Sequence, residues 1–125
     1  MIISNEEKSC VMHVVGNDER ILKVLISPLL NAGLKEISAG YSIIPPGSQS
    51  DSAEHVEGEM FYICEGSGKV SVGNETEAVF PTTTIWVPPH TMHQLINDSN
   101  SIMKVLWVLC PPGREKNIIE NADIR

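Results

Sequence analysis

The chain has 125 residues, 42% hydrophobic and 20% charged, and 9 Lys and Arg against 16 Asp and Glu give a formal charge of −7. That length fits one domain with a core of its own, and the composition excludes a disordered chain. The acidity excludes a phosphate-tracking nucleic-acid surface, and no apolar run approaches the about 18 residues needed to span a bilayer. Residues 1–8 carry early acids and no apolar stretch, so no secretory signal is read. Cys10, Cys64 and Cys110 are an odd number without paired spacing, which points to a reduced, cytoplasmic setting.

Turn signals punctuate the chain densely. They stand at Asn17-Asp18, from Pro28 to Gly33, at Pro45-Pro46-Gly47, from Glu65 to Gly68, at Gly73-Asn74, Pro81 and Pro88-Pro89, from Asn97 to Asn100, and at Pro111-Pro112-Gly113. The runs between them are rich in Val, Ile, Phe, Tyr and Trp. They predict strands over 12–15, 21–26, 35–44, 59–64, 69–72, 76–80, 84–87, 93–97 and 102–110. Short strands at this spacing read as an all-β sandwich or barrel. Helical pattern is nearly absent. Only 27–34, where Ser27 can cap and Pro28 can open a turn, and the tail after Gly113 have room for one. No repeat or linker divides the chain, so 1–125 reads as one domain, with a barrel core over about 20–112 and 114–125 as an appendage.

Of the four histidines, His55, His90 and His93 fall in two short segments, 45–68 and 81–97. On a straight strand His55 and Glu59 would stand about 13 Å apart, too far to share a metal with bonds of about 2 Å. Gly58 permits the turn that would bring them together. Glu59 then opens a strand on the face of Phe61 and Ile63, where a carboxylate is costly unless paired, hydrogen-bonded or metal-bound. His93 opens another strand after Pro88-Pro89, with Leu95 and Asn97 on its face. Side by side, these strands bring His55, Glu59 and His93 to one point. Two imidazoles and a carboxylate with open positions suit one divalent ion, and ligand softness alone does not choose among Zn, Fe, Ni, Mn and Co. Surface or hydrogen-bonded histidines and a solvated glutamate are the bland alternative.

The two segments resemble the paired motifs of the cupin superfamily. The first motif, G-x5-H-x-H-x3-4-E-x6-G, aligns on Gly47, Ala53, His55, Glu59 and Gly66, with Ala53 in place of the first histidine. The second, G-x5-P-x-G-x2-H-x3-N, aligns on Thr82, Pro88, His90, His93 and Asn97, with Thr82 and His90 in place of its glycines. The resemblance spans about residues 20–112 and implies a double-stranded β-helix, a jelly-roll barrel of two antiparallel sheets. It implies a metal held by His55, Glu59 and His93, without the fourth ligand that Ala53 removes. His90 is read as a turn residue at φ > 0, with ligation as its alternative. Glu54 points away from the site by strand alternation. Strand faces turn Phe61, Ile63, Leu95, Val105 and Trp107 inward. Cys64 and Cys110 read as buried packing residues, and His13 as an ordinary strand or surface histidine.

The resemblance also implies a homodimer, and Met60, Tyr62 and Cys64 form an outward apolar row that a second copy would cover, the alternative cover being the N-terminal strand of the same chain. The expected partner inside the barrel is a small-molecule substrate or ligand, with no nucleic acid and no membrane. The implied function is a metal-dependent enzyme acting on a small organic molecule, of dioxygenase, isomerase or lyase/cyclase type. The alternatives are a non-catalytic binder of a sugar or aromatic acid, with or without metal, and a storage-type barrel.

Overall fold

The computed structural model describes residues 1–7, 11–15 and 20–122, so Cys10 lies outside the described residues. The strands are β1 (Val11–Val15), β2 (Arg20–Ile26), β3 (Ser38–Ile44), β4 (Gly58–Glu65), β5 (Gly68–Val72), β6 (Glu75–Val79), β7 (Thr84–Val87), β8 (His93–Ile96) and β9 (Met103–Cys110). One short helix, α1 (Lys116–Glu120), follows. The strands form two antiparallel sheets, ordered β1-β2-β3-β9-β4-β7 and β6-β5-β8. This is the jelly-roll architecture, and all nine strand expectations match a strand to within a few residues. No helix among the described residues is long and apolar enough to cross a membrane.

Alternation decides what faces inward. In β9, Met103, Val105, Trp107 and Leu109 are buried while the residues between them are not. Phe61 and Ile63 of β4 lie opposite Trp107 and Val105, and Leu95 and Val70 close the core from the smaller sheet. All five expected inward residues are therefore in the core. Cys110 ends β9 on the outward parity and is exposed, and Cys64 is half-buried on the outer face of β4, so neither is a core packing residue. Gly40 of β3 sits opposite Trp107, where an added Cβ would meet the Lys23 carbonyl and the indole ring. Its missing side chain is what lets the ring lie across β3.

The segment before β4 extends the smaller sheet. Backbone bonds link Asn97 with Gly47 and Ser48, Ser50 with Leu95, and Ala53 reciprocally with His93, at 2.8–3.0 Å. Asn97 fixes the corner: its amide donates to the carbonyls of Ile44, Pro45 and Ser101, and its Oδ1 accepts from Ser99. Segment 27–34 forms a turn and no helix. Ser27 accepts from Leu29 at Oγ and from Leu30 and Asn31 at its carbonyl, and its hydroxyl donates to Glu115 at 2.6 Å. Glu115 is 1% exposed and also accepts from the Gly113 N–H. Residues 114–122 are therefore no loose appendage: this anchor seats α1 against β1 and β2, and Ile118 and Ile119 pack on the core.

Thr82 and His90, which stand where the cupin motif has glycine, keep the backbone a glycine would adopt, with φ of 78° and 61°. A β-branched residue tolerates that region worst. Replacing Thr82 by Gly should therefore stabilise the protein by about 1 kcal/mol, while His90→Gly should come out near zero because glycine's unfolded-state entropy offsets a smaller strain. Urea denaturation midpoints measure both; a lower midpoint for Thr82→Gly would refute the strain.

Candidate metal centre

Three elements converge at one end of the barrel. Glu59 enters from β4, His93 from β8, and His55 from the segment that Ala53 pairs to His93. Glu59 and His93 are 8% and 6% exposed. His55 Nε2 lies 3.3 Å and His93 Nε2 3.2 Å from the same Glu59 oxygen, Oε1. The ligand atoms of the three residues all lie within 4.8 Å of one another. The imidazoles meet edge to face, 4.9 Å between centroids and 87° between planes, and Phe61 backs His93 at 5.9 Å. The chain thus brings together the three residues named from spacing.

The far nitrogens decide what this cluster can do. His55 Nδ1 lies 2.8 Å from the Glu57 carbonyl, and His93 Nδ1 lies 2.9 Å from the Thr91 carbonyl. A carbonyl only accepts, so each Nδ1 carries the proton and donates it. Each Nε2 of a neutral ring is then a lone pair aimed at a carboxylate that is itself an acceptor. Only a cation reconciles three acceptors at this range: protons on the rings or a metal ion among them. The two distances to Glu59 Oε1 fit a metal. Two atoms each about 2.0–2.1 Å from one ion stand about 2.9–3.4 Å apart at octahedral to tetrahedral angles. Backbone carbonyls that fix the tautomer are the usual outer support of a histidine ligand.

The neighbouring positions divide. Ala53 faces the cavity next to His55, and its methyl offers no ligand. Glu54 is exposed, and so is His90, whose backbone N–H donates to the His55 carbonyl while its ring stays outside the cluster. A cavity of about 410 Å³ opens beside the triad, walled by Phe61, Leu95, Trp107 and Leu109. Several of its residues escaped the sequence reading. His13 lines it, and so do Arg20, Arg114 and Asn117. Glu57 is buried too, with Oε1 3.7 Å from His55 Nδ1. For Arg20 a signal existed, since it shares the inward parity of Leu22 and Val24 on β2. For the residues of the tail no local pattern was there to read.

Comparison with known proteins agrees with this architecture. The Cupin_2 family model, a cupin domain, matches residues 40–109. The chain is 32% identical over 113 residues to the uncharacterized protein MJ1618 of Methanocaldococcus jannaschii, covering 90% of each. Its fold is similar to that of a predicted oxalate decarboxylase from Thermotoga maritima, with a TM-score of 0.73 at 17% identity over 89% of this chain and 100% of that one. The polyketide cyclase RemF from Streptomyces resistomycificus gives a TM-score of 0.73 at 19% identity over 90% of this chain and 81% of that one.

Protons and metal compete for the same lone pairs. The hydrogen bond with Glu59 raises the His55 pKa above its ordinary value of about 6.5, against the opposing effect of burial. Burial alone would push the Glu59 carboxyl up, but the hydrogen bonds and charges of His55 and His93 outweigh it and leave it lowered. In the metal-free protein the His55 contribution is present below the unfolded histidine pKa and lost as pH rises through the raised one. The Glu59 contribution is present above the unfolded carboxyl pKa and lost as pH falls through the lowered one. Metal affinity should therefore fall with decreasing pH, starting above about pH 6.5. Chelator competition across this range measures it; an affinity constant down to about pH 6 would contradict the competition.

Proposed function

The chain belongs to the cupin domain family, and on that footing we propose that it is a metal-dependent enzyme acting on a small organic molecule held in the barrel. The observation that carries this reading is the convergence of two Nε2 lone pairs on Glu59 Oε1 at the wall of the barrel cavity. His55, Glu59 and His93 would hold one divalent ion, and Ala53 leaves the fourth protein position without a donor. The metal, when bound, supplies Lewis-acid polarisation of a substrate oxygen. The chain's own part is positioning. Glu57 and Thr91 carbonyls aim the imidazoles, and Phe61, Leu95 and Trp107 give the cavity an apolar side. The decarboxylase and cyclase named above favour lyase or cyclase chemistry over O2 chemistry for this chain. The missing fourth ligand favours a second reading, a small-molecule binder without turnover. Oxygen consumption would instead point to a dioxygenase.

Elemental analysis tests the metal directly. The purified protein should carry about one divalent ion per chain, and the double variant His55→Ala with His93→Ala should carry less than about a tenth of that. Equal metal in the double variant would remove the assignment.

We also propose that the chain works as a homodimer through the outer face of its larger sheet. Met60, Tyr62 and Cys64 are half-buried there, and Trp86, opposite Met60, is 55% exposed. The chain's own N-terminal segment is tied to this sheet, through Glu6 to Lys23 at 3.1 Å and Lys104 at 2.7 Å, and still leaves Ile3 79% exposed. A second copy would cover both apolar sets with the same patch on each subunit. Sedimentation equilibrium should give a dimer at micromolar concentration, weakened at least about tenfold by Tyr62→Glu. A wild-type monomer would refute the dimer, and a dimer indifferent to Tyr62→Glu would refute this interface.

A further inference from the structure

The cavity wall away from the triad has its own chemistry. Arg20 opens β2, turns inward and is 6% exposed. Among the described residues its partners are the Gln49 carbonyl at 3.1 Å and Asp51 Oδ2 at 3.3 Å. The Asp51 side chain is 80% exposed, so its hold on the guanidinium is screened by water. Arg20 Nε is buried and has no acceptor among the described residues, and the same is true of Trp107 Nε1. Both residues line the cavity that the triad lines. Buried donors without acceptors are rare and call for a physical reason. A reason confined to the fold explains only part of Arg20: its bond to Gln49 holds the segment leading to Ala53, but that leaves Nε and the indole N–H unanswered.

Charge points the same way. With neutral imidazoles, Arg20 and Arg114 cancel Asp51 and Glu59 among the charged lining residues. A divalent ion at the triad tips the cavity positive, although the whole chain carries −7. An anion is what such a cavity attracts from an otherwise acidic protein. The apolar residues of the lining, Phe61, Leu95 and Leu109 among them, suit a carbon skeleton, and about 410 Å³ suits a small one.

We propose that Arg20 and the Trp107 indole N–H form a carboxylate subsite, so that the molecule taken into the barrel is a small organic acid. Its carboxylate is received by these donors, and its other end faces His55, Glu59 and His93. The orientation toward the triad rests on the metal reading; the carboxylate subsite does not. Arg20 is in this sense a specificity-determining residue, because an uncharged analogue gives its guanidinium no counter-charge.

The test uses the indole N–H as reporter. Benzoate and glutarate are titrated into the full chain by NMR, against benzamide and glutaramide as uncharged counterparts, with and without chelator. The Trp107 signal is identified by its loss in Trp107→Phe and its persistence in Trp86→Phe. The expected result is that at least one acid shifts this signal and binds at least about tenfold more tightly than its amide. Arg20→Gln should abolish that preference, while Arg20→Lys should keep part of it. An equal response to acid and amide, no response to either acid, or an acid preference that survives Arg20→Gln overturns the subsite. If Arg20→Gln fails to fold, the acid–amide ratio in the wild type and its partial loss in Arg20→Lys still decide. A preference that persists in chelator, in a protein found free of metal by elemental analysis, upholds the subsite while the metal reading falls.

Discussion

Two imidazole nitrogens aimed at one buried carboxylate oxygen form the contact on which the rest of this structure depends. Three acceptors at 3.2–3.3 Å are repulsive unless a cation stands among them. The barrel has to hold them there, and each surrounding feature contributes. The reciprocal bonds between Ala53 and His93 deliver the His55 segment to β8. The left-handed residue His90 turns the chain so that its N–H reaches the His55 carbonyl. Carbonyls of Glu57 and Thr91 take the far protons and leave the near nitrogens as lone pairs. With both rings neutral such an arrangement costs stability, and a proton on a ring or a metal ion among the three relieves it.

The same barrel separates its charges. The chain as a whole is acidic and the cavity's charged lining is balanced before any ion is bound, so metal loading would make the interior positive. The C-terminal segment takes part in this. Glu115, held by Ser27 and the Gly113 N–H, seats Arg114 and Asn117 at the cavity wall. The closing element of the barrel thus also lines the pocket, which ties fold stability to ligand access.

Much of this was legible in the amino-acid sequence, for physical reasons. Strand runs bounded by Pro, Gly and Asn marked all nine strands, because turns need those residues and strands exclude them. Motif spacing identified His55, Glu59 and His93, since the strand starts are local features; the bend that joins them falls at Val56 and Glu57, while Gly58 already lies in β4, where a side chain would meet Trp86. What escaped rests on contacts distant along the chain. Nothing local singles out Glu115, because its partner Ser27 lies 88 positions away. His13 reads as an ordinary histidine until the sheet curls it to the cavity. Cys110 was hidden by the continuous apolar run of β9, although its parity with Lys104 places it outside. Arg20 was lost by starting β2 one residue late, and with it went half of the cavity's chemistry.

Cobalt(II) titration of the metal-free protein, followed by visible absorption, tests the convergence most directly, because binding by the chain's own donors shifts and strengthens the weak ligand-field band of the aqueous ion. The account predicts strengthened bands that saturate at about one cobalt per chain and are lost in Glu59→Gln, which leaves the neutral shape but removes the charged oxygen facing both imidazoles. Bands of equal intensity in Glu59→Gln, or no strengthening in the wild type, would contradict it.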